Sequence, residues 1–216
     1  MIVIYAGPTL SAEKARQVIP GVDYRPPIVR GDLNSLPKGT RVVGIVDGVF
    51  FNETAVGHKE IIAVMKKGVT VAGSSSMGAL RAAELADFGM IGVGRVYECY
   101  RSGRITDDDE VAVTFNPATG EQISQPLVNI RYQLKAAEGK GLITTEERRS
   151  LVAMIGGMYY PERTYPTIVE LATVGGILSD SQGDILLQYV REHPVNLKAE
   201  DAFMLLEKIK EISSPG

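Results

Sequence analysis

A serine cluster stands out as a group of residues that could carry out nucleophilic chemistry. Ser74, Ser75 and Ser76 follow a β-branched run and precede Met77 and Gly78. This pattern resembles the strand-to-helix turn that exposes a nucleophilic serine, with Ser76 in the nucleophile's position and the Met77 N–H facing a developing oxyanion. The alternative, which such clusters satisfy more often, is a helix cap or a phosphate-cradling turn.

A serine nucleophile needs a base, and the chain has only two histidines. His58 falls near the start of a predicted helix, and Asp47 ends the strand before it. Asp47, His58 and Ser76 could therefore act as orienter, base and nucleophile. Lys59 could replace His58 as the base or hold an anion. The alternative for His58 is a place in the core, whereas His193 is predicted to lie on the surface.

Further residues are expected to bind the substrate or its oxyanion. Gly7, Pro8 and Thr9 directly follow the first predicted strand. Arg81 lies on the helix after the serines, where it can bind a carboxylate or pair with Glu84. The predicted binding residues are Gly7, Pro8, Thr9, Ser75, Met77, Gly78, Lys59 and Arg81. We predict neither a metal site nor a cofactor.

A parallel sheet would bring these loops together. Short, continuous β-branched runs are typical of strands buried on both faces, and they occur at residues 2 to 6, 42 to 46 and 69 to 72. Helices are predicted between them, from Ser11, from about 53 to 67 and from about 77 to 87. In an open parallel sheet the loops after the strands meet at one edge, which is where ligands bind.

The pattern becomes helical in the second half of the chain. Helix starts are indicated by Ser124, by Thr144 with Glu147 and by Thr164, and an apolar stripe runs from Ala202 to Ile212. Residues 22 to 38 are predicted to be irregular, and 111 to 115 to form a strand or hairpin. We therefore predict an α/β fold, an open parallel Rossmann-like sheet with helical crossovers over residues 1 to 118, followed by an all-helical region over 119 to 216.

The composition narrows the class of protein. The 216 residues are 44% hydrophobic and 23% charged, close to the globular average. A net charge of −3 without a basic run argues against nucleic-acid binding. The single cysteine, Cys99, and the absence of a signal-like or membrane-spanning segment lead us to expect a soluble, cytoplasmic protein.

Several strings resemble the TfuA-like protein family. They cover residues 1 to about 115 almost continuously and include VIYAGPTL, VVGIVDGVF, AVGHKEI, SSSMGALRAAELADFGMIGVGRVY and DDDEVAV. The resemblance implies a partner of a YcaO enzyme, which uses ATP to replace a backbone amide oxygen with sulfur. It also implies a hydrolase that frees sulfide from a thiocarboxylated, ThiS-like sulfur carrier protein. The carried-over positions are Asp47, His58 and the Ser75 to Gly78 segment.

The resemblance places this activity in peptide natural-product biosynthesis or in the thioglycine of methyl-coenzyme M reductase, so that the peptide or protein substrate is reached only through the YcaO enzyme. Two other interpretations remain open from the residues. The chain could be a non-catalytic adaptor that binds the YcaO enzyme or its peptide, or a Rossmann-like nucleotide-binding enzyme, although it lacks the glycine and lysine motifs of such sites. Its apolar helical stripes also allow a homo-oligomer.

Overall fold

The structure is a computed structural model that describes residues 1–50, 54–116 and 118–214. By their internal contacts these residues form two compact units. One joins the residues up to 108 with the C-terminal residues from 197 on, and the other holds residues 109 to 196. In the described ranges, no helix is both long and apolar enough to cross a membrane.

The first unit is built on a five-stranded sheet in which every pairing is parallel. Its strands are β1 (Ile2–Tyr5), β2 (Asp23–Arg25), β3 (Val42–Ile45), β4 (Thr70–Ser74) and β5 (Ile91–Val93), in the order β2-β1-β3-β4-β5. The direction of strand succession reverses between β1 and β3, and ligands bind at such a point in open α/β sheets. The predicted open parallel sheet is confirmed.

Helices cover both faces of this sheet. The crossover helices are α1 (Ala12–Val18), α2 (His58–Lys66) and α3 (Met77–Leu85), and α4 (Arg95–Arg101) follows the last strand. Alternate strand residues face opposite sides: Val43 and Ile45 pack with the residues of α2 and α3, whereas Val42 and Val46 pack on the other face. The Ser11 hydroxyl accepts from the N–H of Lys14, so the predicted start of α1 is confirmed.

The second unit is helical. Its helices are α5 (Leu127–Gly139), α6 (Thr145–Gly156), α7 (Tyr165–Val174) and α8 (Asp180–Glu192). Thr144 caps α6 in a capping box with Glu147, and Thr164 caps α7, as predicted. Ser124 does not cap a helix; its hydroxyl accepts from the N–H of Thr114 at 2.8 Å, and α5 begins after Pro126.

The C-terminal helix α9 (Leu197–Ser213) packs on the sheet. Its predicted apolar stripe is buried from Ala202 to Ile209, in one cluster with strand residues such as Ile4 and Ala72. A side chain at Gly44 of β3 would collide with Ile209. The division at residue 118 stays a prediction about domains, and the compact units differ from it in assigning α9 to the sheet.

Three local predictions need correction. Residues 22 to 38 contain β2, a three-residue edge strand, and a short 3₁₀ helix. Helix α2 begins at His58, because residues 54 to 57 form a turn and an extended approach to it; the expected start at 53 lies outside the described residues. The expected strand at 111 to 115 is reduced to an antiparallel bridge between Phe115 and Gln122.

Candidate functional site

The turn between β4 and α3 carries the predicted nucleophile. Ser75 has a φ of +69°, and within the described ranges it alone among residues other than glycine has a positive φ. Its neighbours are closely packed: a side chain at Gly73 would collide with the carbonyl of Gly78, and one at Gly78 with the carbonyl of Ile45. The strand thus enters the helix through a turn with no room for larger residues, as a nucleophile elbow does.

The three serines of this turn use their polar atoms differently. The Ser74 hydroxyl donates to the backbone oxygen of Asp201 at 3.2 Å. Ser76 starts α3 with its carbonyl, which accepts from the N–H of Ala79 at 2.9 Å, and its side chain makes no capping hydrogen bond. The Ser75 hydroxyl is buried and has no hydrogen-bond partner among the described residues. Capping therefore accounts for neither the Ser75 nor the Ser76 hydroxyl.

Asp47 follows β3 and is almost completely buried. Its Oδ2 accepts from the N–H groups of Gly7 at 2.9 Å and Thr9 at 3.1 Å, and its Oδ1 accepts from the Thr9 hydroxyl at 2.6 Å. These bonds join the loops after β1 and β3, where the strand order reverses. The Asp47 carboxylate therefore fixes the conformation of the loop predicted to bind the substrate.

A buried lysine joins Asp47 at this edge of the sheet. Lys198 lies in the first turn of α9 and is 1% exposed. Burial lowers the pKa of its ammonium group to about 8, although the charge of Asp47 acts to raise it. An amine that titrates near neutral pH thus faces the carboxylate that organises the loop.

Asp201 lies one helical turn after Lys198 and caps a second helix. Its Oδ2 accepts from the N–H of Val96 at 2.7 Å, at the start of α4, and burial raises the pKa of its carboxyl group. The sequence did not lead us to predict either Lys198 or Asp201 as a site residue. The available signal was their position: 198 and 201 continue the spacing of the apolar stripe of α9, where charge is not expected.

His58 lines a separate feature, a cavity of about 460 Å³. The cavity lies against the start of α2 and the face of α3 that carries Met77, Arg81 and Glu84. The His58 Nε2 is 2.8 Å from the Glu84 Oε2, and the Arg81 Nη1 donates to the same oxygen at 2.6 Å. The Arg81 Nε also donates to the carbonyl of Val56 at 3.1 Å. Glu84 therefore positions both basic groups at the cavity wall.

The predicted orienter and base are each bonded elsewhere. His58 contacts Glu84, and Asp47 contacts the loop of residues 7–9. Within the described part of the chain, no hydrogen bond links Asp47, His58 and Ser76, and the lining of the cavity includes His58 but not the other two. Their joint action stays a prediction, and Glu84 is the carboxylate that orients His58.

The remaining predicted residues are spread around these features. Met77 is buried and lines the cavity. The N–H of Gly78 donates to the carbonyl of Val46 at 3.2 Å, which ties the start of α3 to the end of β3. Pro8 is half-buried in the first loop, and Lys59 is exposed as the second residue of α2.

The serine turn is connected to two groups of charged residues, to one through the Ser74–Asp201 hydrogen bond and to the other through helix α3. The sheet-edge cluster consists of Gly7, Thr9, Asp47 and Lys198. The cavity cluster consists of His58, Arg81 and Glu84. A hydroxyl, an amine with a lowered pKa and an imidazole–carboxylate pair are the kinds of group that acyl transfer uses. Among the described residues, no group of three or more His, Cys, Asp and Glu side chains is arranged to hold a metal ion.

Comparison with known proteins gives one match. A family model described as TfuA-like protein matches residues 47–164, more than half of the chain. The matched range begins at Asp47 and includes the serine turn and the whole cavity cluster, but neither the first loop nor Lys198. None of the curated proteins matches the chain.

Proposed function

The chain belongs to the TfuA-like protein family, and from this premise we propose that it is the partner of a YcaO enzyme in backbone thioamidation. Its part in the reaction is to hydrolyse a thiocarboxylated sulfur carrier protein and release sulfide. The observation that carries the hydrolase proposal is the serine turn, which holds a buried hydroxyl without a hydrogen-bond partner.

Hydrolysis of a thiocarboxylate requires chemical groups that this site contains. A thiocarboxylate is an anionic acyl donor, so a nucleophile approaches it only after its charge has been neutralised. Two cations lie on helices that contact or continue the serine turn, Lys198 on α9 and Arg81 on α3. At the start of α3 the N–H groups of Gly78 and Ala79 donate to backbone carbonyls, so the Met77 N–H is the donor proposed to stabilise an oxyanion. Together they favour expulsion of sulfide over release of an alkoxide.

The test supplies the thiocarboxylated carrier to the purified chain, without a YcaO enzyme and without ATP, and follows free sulfide with time. We expect sulfide to appear faster than in the carrier alone. A carrier that ends in an ordinary carboxylate is the matched control and should give none. Release no faster than the spontaneous rate would contradict the hydrolase function.

A second candidate function, a non-catalytic adaptor, is favoured by one observation. The helical unit exposes large apolar side chains at Leu171 and Val174 on α7 and at Ile185 on α8, with Val174 84% exposed. Exposed apolar side chains of this size are common at protein interfaces. In this interpretation the helical unit docks onto the YcaO enzyme, whatever the sheet unit catalyses.

The double variant Leu171→Glu with Val174→Glu separates the two functions. Docking through α7 predicts that thioamidation coupled to the YcaO enzyme falls, while sulfide release from the carrier alone is unchanged. The exposed polar position Glu170→Gln on the same helix serves as the control. Coupled activity equal to the wild type would place docking elsewhere.

A further inference from the structure

Two unusual properties coincide at Ser75. A positive φ is strained for any residue with a side chain, and such outliers occur at sites where the surrounding structure enforces them for a function. A buried hydroxyl without a hydrogen-bond partner is also rare in folded proteins. Glycine would adopt this backbone conformation without strain, so the presence of a hydroxyl here calls for a chemical explanation.

The neighbouring serines have structural explanations. Ser74 connects the end of β4 to α9 through its hydrogen bond with Asp201. Ser76 begins α3 through its backbone carbonyl. Ser75 makes neither contact, and the closely packed Gly73 and Gly78 on either side of it enforce the turn that holds its hydroxyl.

We propose that Ser75, rather than Ser76, is the nucleophile that attacks the thiocarboxylate; this inference rests on the proposed function. The Ser75 Oγ bonds to the thiocarboxylate carbon, the carbon–sulfur bond breaks, and sulfur leaves with the bonding electron pair. The hydroxyl proton ends on the sulfur, so the products are an ester on Ser75 and hydrosulfide. Water then cleaves the ester, restoring the hydroxyl and leaving a carboxylate on the carrier, with one proton released to solvent.

The surroundings of Ser75 fit this role. Lys198 lies three residues before Asp201, about one turn along α9 from the point where that helix meets Ser74. Its ammonium group can neutralise the thiocarboxylate. Met77, two residues after Ser75, forms part of the cavity wall, and its unbranched side chain can change rotamer to admit the end of the carrier. Water is excluded from the hydroxyl until then.

The experiment compares Ser74→Ala, Ser75→Ala and Ser76→Ala, each given the thiocarboxylated carrier alone while free sulfide is followed. Ser75→Ala should lose at least about 100-fold in rate, whereas the other two should stay within about threefold of the wild type. Ser75→Gly should be equally inactive yet melt at the same or a higher temperature, because glycine relieves the strain. Rapid quenching of the wild type should also give a protein carrying the carrier's mass on the peptide that contains Ser75.

The possible failures are distinct. Wild-type rates in Ser75→Ala, with the loss found in Ser76→Ala instead, would overturn the assignment of Ser75 and leave the hydrolase function in place. A wild-type protein that releases no sulfide would overturn the function itself and this assignment with it. A carrier adduct that maps to any other residue would likewise overturn the role of Ser75.

Discussion

Each unit of the molecule buries a long cationic side chain, and the two are stabilised differently. Arg163 in the helical unit is 0% exposed, and Lys198 in the sheet unit is 1% exposed. The Arg163 guanidinium donates to the Asp109 carboxylate at 2.5 Å and to the backbone oxygens of Asp109 and Met158, both at 3.0 Å. The two terminal nitrogens of the guanidinium, Nη1 and Nη2, are therefore held by acceptors with fixed positions.

Lys198 has a different electrostatic balance. Desolvation outweighs the attraction of Asp47, so the pKa of its ammonium group falls to about 8. An arginine remains charged throughout the range in which proteins are folded, whereas a lysine with a lowered pKa can exchange a proton. The comparison of Arg163 with Lys198 shows that burial alone does not identify a functional cation. The cation with the lowered pKa lies at the predicted site, and the guanidinium that donates to three oxygens of Asp109 and Met158 stabilises the helical unit.

The largest effect should follow from removing the structural cation. Arg163→Met leaves the Asp109 and Met158 oxygens without their donor, and we expect the free energy of unfolding to fall by about 3 kcal/mol or more. Urea denaturation measures this, and hydrogen exchange should show the loss concentrated in α5 to α8. Arg163→Lys, which keeps the charge but not the fork, should recover only part of it. A loss below about 1 kcal/mol in Arg163→Met would contradict the structural role of Arg163 that distinguishes it from Lys198.

Lys198→Met should have the opposite sign. The pKa of Lys198 in the folded protein, about 8, is below its ordinary value of 10.5. Between these pH values the unfolded chain holds a proton that the folded chain has lost, so wild-type stability rises with pH across this interval. Below pH 8 the variant should therefore be more stable than the wild type, by up to about 3 kcal/mol, and the difference should close by pH 10.5.

The measurement is urea denaturation of the wild type and the variant at pH 7 and at pH 10. The other titrating groups are the same in both proteins, so their contributions cancel when the two free energies of unfolding are subtracted at each pH. Sulfide release sharpens the comparison, because a functional lysine predicts a more stable but slower enzyme. A variant that is less stable than the wild type at pH 7 would show that Lys198 is a structural cation like Arg163.

The carboxylates opposite these cations should show the reverse order and a smaller difference, with the larger loss in the sheet unit. Asp47→Asn removes a buried charge that accepts three hydrogen bonds, and we expect a loss of about 1 to 3 kcal/mol. It should also lower the pKa of Lys198 further, since the Asp47 charge acts to raise it. Asp109→Asn, at a side chain that is 38% exposed, should cost less. Equal losses in the two denaturation curves would contradict this order.

The parts of the fold that could be predicted from the sequence are those with local signals. The buried strands β1, β3 and β4 lie in apolar segments of four or five residues that are rich in β-branched side chains, and the Thr144–Glu147 capping box marks a helix start directly. The edge strand β2 has only three residues, two of them charged, and β5 has a central glycine, so neither carries such a run. Edge strands depend on pairing with a neighbour, which local sequence does not encode.

The site follows the same division. The loops after β1, β3 and β4 were predictable because parallel strands share an edge. Lys198 was not, because α9 brings it to Asp47 from the far end of the chain. The pairing of His58 with Glu84 was also missed, because it depends on how α2 and α3 pack side by side. Contacts between distant segments are set by packing rather than by any one motif.

The smallest change in the free energy of unfolding is expected at Glu84. This residue tests whether breaking a partly exposed ion pair costs less stability than breaking a buried one. Glu84 is 36% exposed and bonds to both His58 and Arg81. Solvent screens such pairs, so Glu84→Gln should cost at most about 1 kcal/mol in urea denaturation. If His58 serves as the base, the same variant should slow sulfide release about tenfold, because a neutral amide replaces the carboxylate that orients the imidazole while the fold is kept. Arg101→Gln, which breaks an exposed pair with Asp87, is the matched control and should leave the rate unchanged. An unaltered rate in Glu84→Gln would mean that the cavity cluster binds the carrier without taking part in proton transfer, and that the reacting groups lie with Lys198 at the edge of the sheet.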